Sequence, residues 1–159
     1  MQTPTDIQIR PARVPDARHI CDLVNEYAER GLMLHRSLES IYHSLRDFTV
    51  AEIGGNIVGC VSVDIFWDDL AEIRSLAVAS DHSGKGIGSK LIEAAGKNAG
   101  EIGIRRLFAL TYEKDFFTRR GFKVIERNSL PEKVWTVCIG CPKADACDET
   151  AVILEIKAV

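Results

Sequence analysis

Apolar residues along this chain change their period several times, and the changes mark its elements. Ile7-Gln8-Ile9-Arg10 alternates, which predicts a first strand punctuated by Pro11 and Pro15. Asp16 reads as a helix cap, and Ile20, Leu23, Val24 and Tyr27 then recur at helical spacing until Gly31 ends the helix. A second helical stretch runs roughly from Leu38 to Leu45. Phe48 to Ile53, then Gly54-Gly55-Asn56, then Ile57 to Phe66 is a hairpin signal. After a Trp67-Asp68-Asp69 loop, Ala71 to Val78 is the next strand.

Beyond a glycine cluster, Ile87, Leu91, Ile92, Ala95 and Ala99 form one helical stripe, with Lys90, Glu93 and Lys97 opposite. Gly100 and Gly103 close it. Arg106 to Thr111 is a strand, Asp115 to Arg120 a short helix stopped by Gly121, Phe122 to Glu126 a strand, and Ala151 to Lys157 a last one. The order β-α-α-β-β-β-α-β-α-β-β predicts one α/β domain over residues 1–159, a mixed sheet with helices on both faces.

Composition narrows the class. The 159 residues carry a net charge of −3, so no broad nucleic-acid footprint is expected. No apolar run approaches the ~20 residues of a membrane-spanning helix, and the N-terminal segment lacks the apolar core of a signal peptide. A cytoplasmic protein with no membrane partner is expected. The five cysteines then default to thiols.

The densest chemistry lies in residues 72–89, EIRSLAVASDHSGKGIGS. A strand feeds a polar loop, then Gly84-Lys85-Gly86-Ile87-Gly88, then a helix. Glycines at i, i+2 and i+4 strip side chains from one side of a turn, so backbone N–H groups converge on an anion at a helix N-terminus. That suits a pyrophosphate. The spacing fits neither the Rossmann fingerprint nor a Walker A loop.

The loop with its flanks resembles the acetyl-CoA signature of the GNAT N-acetyltransferases, Gln/Arg-x-x-Gly-x-Gly/Ala, mapped onto Ser83-Gly84-Lys85-Gly86-Ile87-Gly88. Ser83 stands where Gln or Arg is usual. Ile9-Arg10-Pro11-Ala12 with Asp16-Ala17, and Gly121-Phe122, match the family elsewhere. The resemblance implies a GNAT fold, a mostly antiparallel α+β sheet in which strands four and five splay apart around the pantetheine arm. Leu76, Ala77 and Val78 would pair with that arm as an added strand does. His82, Ser83, Gly84, Lys85, Gly86, Ile87, Gly88 and Ser89 would hold the phosphates. An N–H near Val78 would polarise the thioester carbonyl. Glu72 would be the general base; an ordinary strand carboxylate is its plainer reading. Phe117 occupies the cofactor-side position where the family commonly has a proton-donating Tyr. Tyr112 or solvent is left to protonate the thiolate.

Arg106-Leu107-Phe108-Ala109-Leu110-Thr111, Phe116-Phe117 with Gly121-Phe122, and Leu130-Pro131-Glu132-Lys133 look like the acetyltransferase domain of bacterial N-acetylglutamate synthases. The tail Cys138-x2-Cys141-Pro142-Lys143 with Cys147 is similar to a short branch lacking the kinase domain. This implies acetyl transfer from acetyl-CoA to the α-amine of L-glutamate, for arginine synthesis. Cationic partners for a dicarboxylic acceptor would be Arg74 and Lys133, with Lys143 a further choice and Thr111 alongside; solvated charge is their alternative. Val134 and Trp135 replace arginine-rich positions of the longer synthases.

The cysteine tail gives three soft ligands without a histidine, so no metal is expected; free thiols shaping the acceptor loop are the first reading and a redox-labile disulfide the second. Cys21 and Cys60 read as core. His19, His35 and His43 read as surface; because the first two helices of the family border its acceptor pocket, His35 or Arg36 touching substrate is the alternative. Two alternatives to glutamate acetylation stay open. One is acetylation of another small amine or a protein N-terminus; the other is a non-catalytic acetyl-CoA sensor. Strand pairing at an edge near 151–157 would allow a homodimer.

Overall fold

A computed structural model of the chain describes residues 6–130 and 149–157. The expected element order appears throughout: β1 (Ile7–Pro11), α1 (Ala17–Glu29), α2 (Leu38–His43), β2 (Phe48–Ile53), β3 (Asn56–Trp67), β4 (Leu70–Val78), α3 (Ile87–Glu101), β5 (Arg106–Thr111), α4 (Lys114–Thr118), β6 (Lys123–Ile125) and β7 (Thr150–Glu155). The strands form one mixed sheet in the order β1-β2-β3-β4-β5-β7-β6. Its β4–β5 pairing is parallel, while β1–β2, β2–β3, β5–β7 and β6–β7 are antiparallel. The chain groups into two compact units. One holds the residues up to 64 and 73–98; the other holds 65–72 and the residues from 99 on.

In the first unit, the β2–β3 turn places Gly54 and Gly55 at φ +56° and +83°. Ile53 pairs with Asn56 across it. Two successive left-handed residues match the right-handed twist of the strands, and glycine adopts them without a Cβ clash. The core on one sheet face joins Ala17, Ile20, Leu23 and Val24 of α1 and Ile41 of α2 to Phe48, Val50, Cys60 and Ala77. Gly59 points to the opposite face, because strand neighbours alternate. A Cβ there would lie 3.0 Å from Leu91 Cδ1 and 3.1 Å from Ile87 Cγ2. Bare backbone at Gly59 therefore lets α3 lie close against β3. The α3 stripe read from the sequence, Ile87, Leu91, Ile92, Ala95 and Ala99, is buried at every position.

The cap of α1 differs from expectation. Asp16 is itself helical and makes no side-chain cap bond to α1. Its carboxylate instead takes both Arg10 guanidinium nitrogens, at 2.7 and 3.0 Å, and the Arg13 N–H at 2.7 Å. A bidentate cation outbids one backbone N–H for a buried carboxylate. At the other end Gly31, at φ +73°, closes α1 in a Schellman turn. There Leu32 N–H donates to the Tyr27 carbonyl and Gly31 N–H to that of Ala28.

In the second unit, Leu70, Phe108, Leu130 and Ala151 form the core, with Phe66, Leu110, Ile125 and Ile153 packed on it. The final strand is not an edge. β7 pairs with β5 on one side and β6 on the other, so both rows of its backbone groups are engaged. The edge expected near 151–157 is therefore β6, three residues long.

Candidate active site

The glycine loop is an open helix N-terminus. Gly84 and Gly86 each have φ of +79°, a conformation that costs a side chain about 1–2 kcal/mol. A Cβ on either would meet no atom within 4 Å, so the space above both is clear. The Lys90 N–H donates to the Gly86 carbonyl at 3.1 Å, the first rung of α3. The N–H groups of Gly86, Ile87, Gly88 and Ser89 thus have no acceptor within the helix and carry its positive dipole end. Lys85 and Lys90 are exposed beside them. Ser83 donates its hydroxyl to the Ser80 carbonyl at 3.1 Å, and His82 Nδ1 lies 3.0 Å from Asp81 Oδ1.

β4 leads into this loop and is kinked. Ser75 has φ of +54°, the one non-glycine residue with positive φ among those described. Left-handed backbone breaks the strand's alternation there. Its carbonyl accepts the Cys60 thiol at 3.4 Å. Burial pushes the Cys60 thiol up to about 12, which makes it a core residue and no nucleophile. Cys21 is only half-buried, its sulfur accepting from Asn25 Nδ2 at 3.4 Å. Leu76 and Val78 are half-buried and Ala77 is buried. The Val78 N–H, in the stretch expected to meet a thioester, is engaged by Tyr27, whose hydroxyl accepts from it at 3.1 Å and donates to the Val78 carbonyl at 3.0 Å.

Arg36, one of the two residues expected near the acceptor pocket, is held by a set of hydroxyls. Its guanidinium reaches Ser40 Oγ at 3.1 and 3.2 Å, Ser44 Oγ at 3.1 Å and Ser75 Oγ at 3.2 Å. It also lies 5.4 Å from the centre of the Phe48 ring. Its hydrogen-bond partners among the described residues are neutral hydroxyls. Burial, and then the charge of Arg74, loosen its hold on its proton, while Asp64 acts the other way. An arginine stays charged even so. Arg74, by contrast, pairs with Asp64 Oδ2 at 2.9 Å, so its charge is partly met within the unit. The other Asp64 oxygen is buried without a partner. His35 is exposed and contacts Glu29; His19 and His43 are exposed too.

Glu72 belongs to the second unit. It is 9% exposed, on the stretch of β4 that pairs with β5, opposite Phe108. Thr111 ends β5, buried, its hydroxyl accepting from the Glu113 N–H at 2.8 Å. Tyr112 follows, 37% exposed. Phe117 is 4% exposed and stacks edge-on with both Phe116 and Phe122, so its ring is part of the packing there. Lys133, Lys143 and the three cysteines of the tail lie outside the described residues. No described helix is long and apolar enough to cross a membrane.

A helix opened by left-handed glycines and fed by a kinked strand has the form of an anion-receiving helix start. Comparison with known proteins gives its class: residues 44–124 match the acetyltransferase (GNAT) domain family, and the chain belongs to that family. It is 43% identical to an uncharacterized N-acetyltransferase of Chlorobaculum tepidum, over 93% of this chain and 96% of that one. It is 35% identical to the amino-acid acetyltransferase of Mycobacterium tuberculosis, over 80% of this chain and 74% of that one. Among solved structures it resembles N-acetylglutamate synthase from Neisseria gonorrhoeae, complexed with coenzyme A and N-acetyl-glutamate. The TM-score is 0.87 at 30% identity, covering 96% of this chain. The chain spans 36% of that synthase's length.

Tyr27 and Asp64 carried no site signal in the sequence. Tyr27 read as one member of the α1 stripe, and its partner is 51 residues further on. Asp64 sits in a strand with nothing local to mark it. For Arg36, a signal existed in the three serines spaced around it, Ser37, Ser40 and Ser44, two of which supply hydroxyls on one helical face.

Proposed function

We propose that this acetyltransferase moves the acetyl group of acetyl-CoA to the α-amine of an L-amino acid, with L-glutamate the acceptor. Arg36 carries the reading. A half-buried guanidinium lodged among hydroxyls is desolvated without being neutralised, which favours an anionic partner from solution. The acceptor's carboxylate supplies it. Curated relatives named amino-acid acetyltransferases support the same class. Neighbours in complex with coenzyme A support the donor.

In this reading the pyrophosphate rests on the N–H groups of residues 86–89, and the pantetheine arm runs along Leu76 to Val78. Glu72 takes the proton of the acceptor's ammonium. The free amine attacks the thioester carbonyl, a C–N bond forms, the nitrogen gives up its second proton to solvent, and the C–S bond breaks. The departing thiolate takes its proton from Tyr112 or from solvent, since Phe117 has none to give. The product supplies N-acetylglutamate for arginine synthesis.

The test is thiol release from acetyl-CoA across the amino acids and simple amines. Turnover fastest with glutamate is expected. Turnover with another amine alone would remove the glutamate assignment, and none with any acceptor would favour an acetyl-CoA sensor.

A further inference from the structure

β4 shows its backbone groups alternately to its two edges. Ala79 N–H donates to the Val58 carbonyl at 2.8 Å, and the Ala77 carbonyl lies 3.4 Å from where a Gly59 Cβ would be. Residues 77 and 79 therefore face β3. Val78 faces the other way. On that edge one hydroxyl, that of Tyr27, both accepts from the Val78 N–H and donates to the Val78 carbonyl, at 3.1 and 3.0 Å. This is the donor–acceptor pair that an amide of an extended chain presents to a strand edge. The pantetheine arm of coenzyme A carries two such amides.

We infer that the Tyr27 hydroxyl is a place-holder for a pantetheine amide: it takes the donor and acceptor of the Val78 edge that the arm needs, and the arm displaces it on binding. The inference rests on the reading that the arm runs along β4. A backbone N–H has a single hydrogen, so Val78 cannot serve Tyr27 and the arm together. The ring is held as well as the hydroxyl. It packs partly against the α1 core, and the Arg30 guanidinium lies 4.6 Å from its centre. Displacement therefore moves a side chain anchored in the Schellman turn of α1, and the arm must compete for the edge it occupies. Tyr27 is thus a residue of the cofactor site that opposes binding, at a position where the loop glycines favour it.

The experiment compares the full-length protein with Tyr27→Phe, which keeps the ring and its packing. Coenzyme A affinity is measured by calorimetry, and the Val78 amide is followed in a ¹⁵N–¹H spectrum. The variant is expected to bind coenzyme A about five- to tenfold more tightly, the worth of one to two neutral hydrogen bonds. Its Val78 amide should already be shifted before ligand is added, and should shift again with ligand. Equal or weaker affinity, with the Val78 amide still responding to ligand, overturns the place-holder and leaves the arm on β4. A Val78 amide that ignores coenzyme A in both proteins overturns the cofactor path itself. A matching melting temperature excludes a folding defect as the cause.

Discussion

Asn25 grips the backbone of Arg36 from both sides of its amide. Its Oδ1 accepts from the Arg36 N–H at 2.8 Å, and its Nδ2 donates to the Arg36 carbonyl at 2.9 Å. A residue of α1 thereby fixes a loop residue eleven positions away, and three serine hydroxyls then aim its side chain. So much positioning of one cation has a measurable consequence. Arg36→Met should raise the KM for the acceptor about 10- to 100-fold, the loss of a charge-assisted hydrogen-bonded pair, with acetyl-CoA affinity kept. Steady-state kinetics with each substrate varied in turn will read it. An unchanged acceptor KM would remove Arg36 from the site.

Glu72→Gln keeps the shape of a buried side chain and removes its basicity. The kcat should fall about 10²- to 10⁴-fold, while coenzyme A binds as before. Raising the pH should recover part of the rate, because more of the amine is then already free. A variant with near-normal turnover at neutral pH would mean that the proton leaves by another route.

Gly86→Asp sets both a strained φ and a negative charge where the phosphates are proposed to sit. Acetyl-CoA affinity should drop by more than about tenfold, and Gly86→Ala by less, since it meets only the backbone cost of roughly 1–2 kcal/mol. Calorimetry on both variants separates strain from charge. Equal affinities in all three proteins would refute the cradle.

The Arg10–Asp16 pair governs stability rather than chemistry. The Arg10 guanidinium holds the Asp16 carboxyl below the usual aspartate range, against burial, with the Arg13 N–H helping. A depressed carboxyl contributes stability that is complete above its unfolded value, near pH 4. That stability is lost as pH falls through its lower folded value. Asp16→Asn should cost about 1.5–3 kcal/mol at pH 7. Its deficit against the parent chain should shrink steadily below about pH 4 in urea titrations. A deficit that stays constant down to pH 2 would contradict the pairing.

How far the site could be read in advance depended on how local its parts are. The glycine loop is one turn of chain, and its spacing alone predicts an open helix start of the kind that suits an anion. The structure adds the left-handed φ values and the clear space above them. The kink in β4 was hidden, because Ser75 is an ordinary strand residue by type, and the groups that bond it, Arg36 and Cys60, are distant in the chain. Asp16 holds the expected N-cap position of α1, but its side chain caps nothing there for a related reason. A carboxylate six residues from an arginine has a stronger partner than a helix amide, and chain distance does not reveal it.

The amino-acid sequence by itself determined the order of strands and helices, the buried stripe of α3, the β2–β3 turn and the glycine-opened start of α3. Each of these is fixed by side-chain period or backbone permission within a few residues. Tertiary structure alone decided that β7 lies inside the sheet, that Tyr27 closes the edge of Val78, and that Arg36 stands among hydroxyls while Arg74 is paired. Those are competitions between partners distant in the chain, and a polar group takes the strongest partner that folding brings within reach.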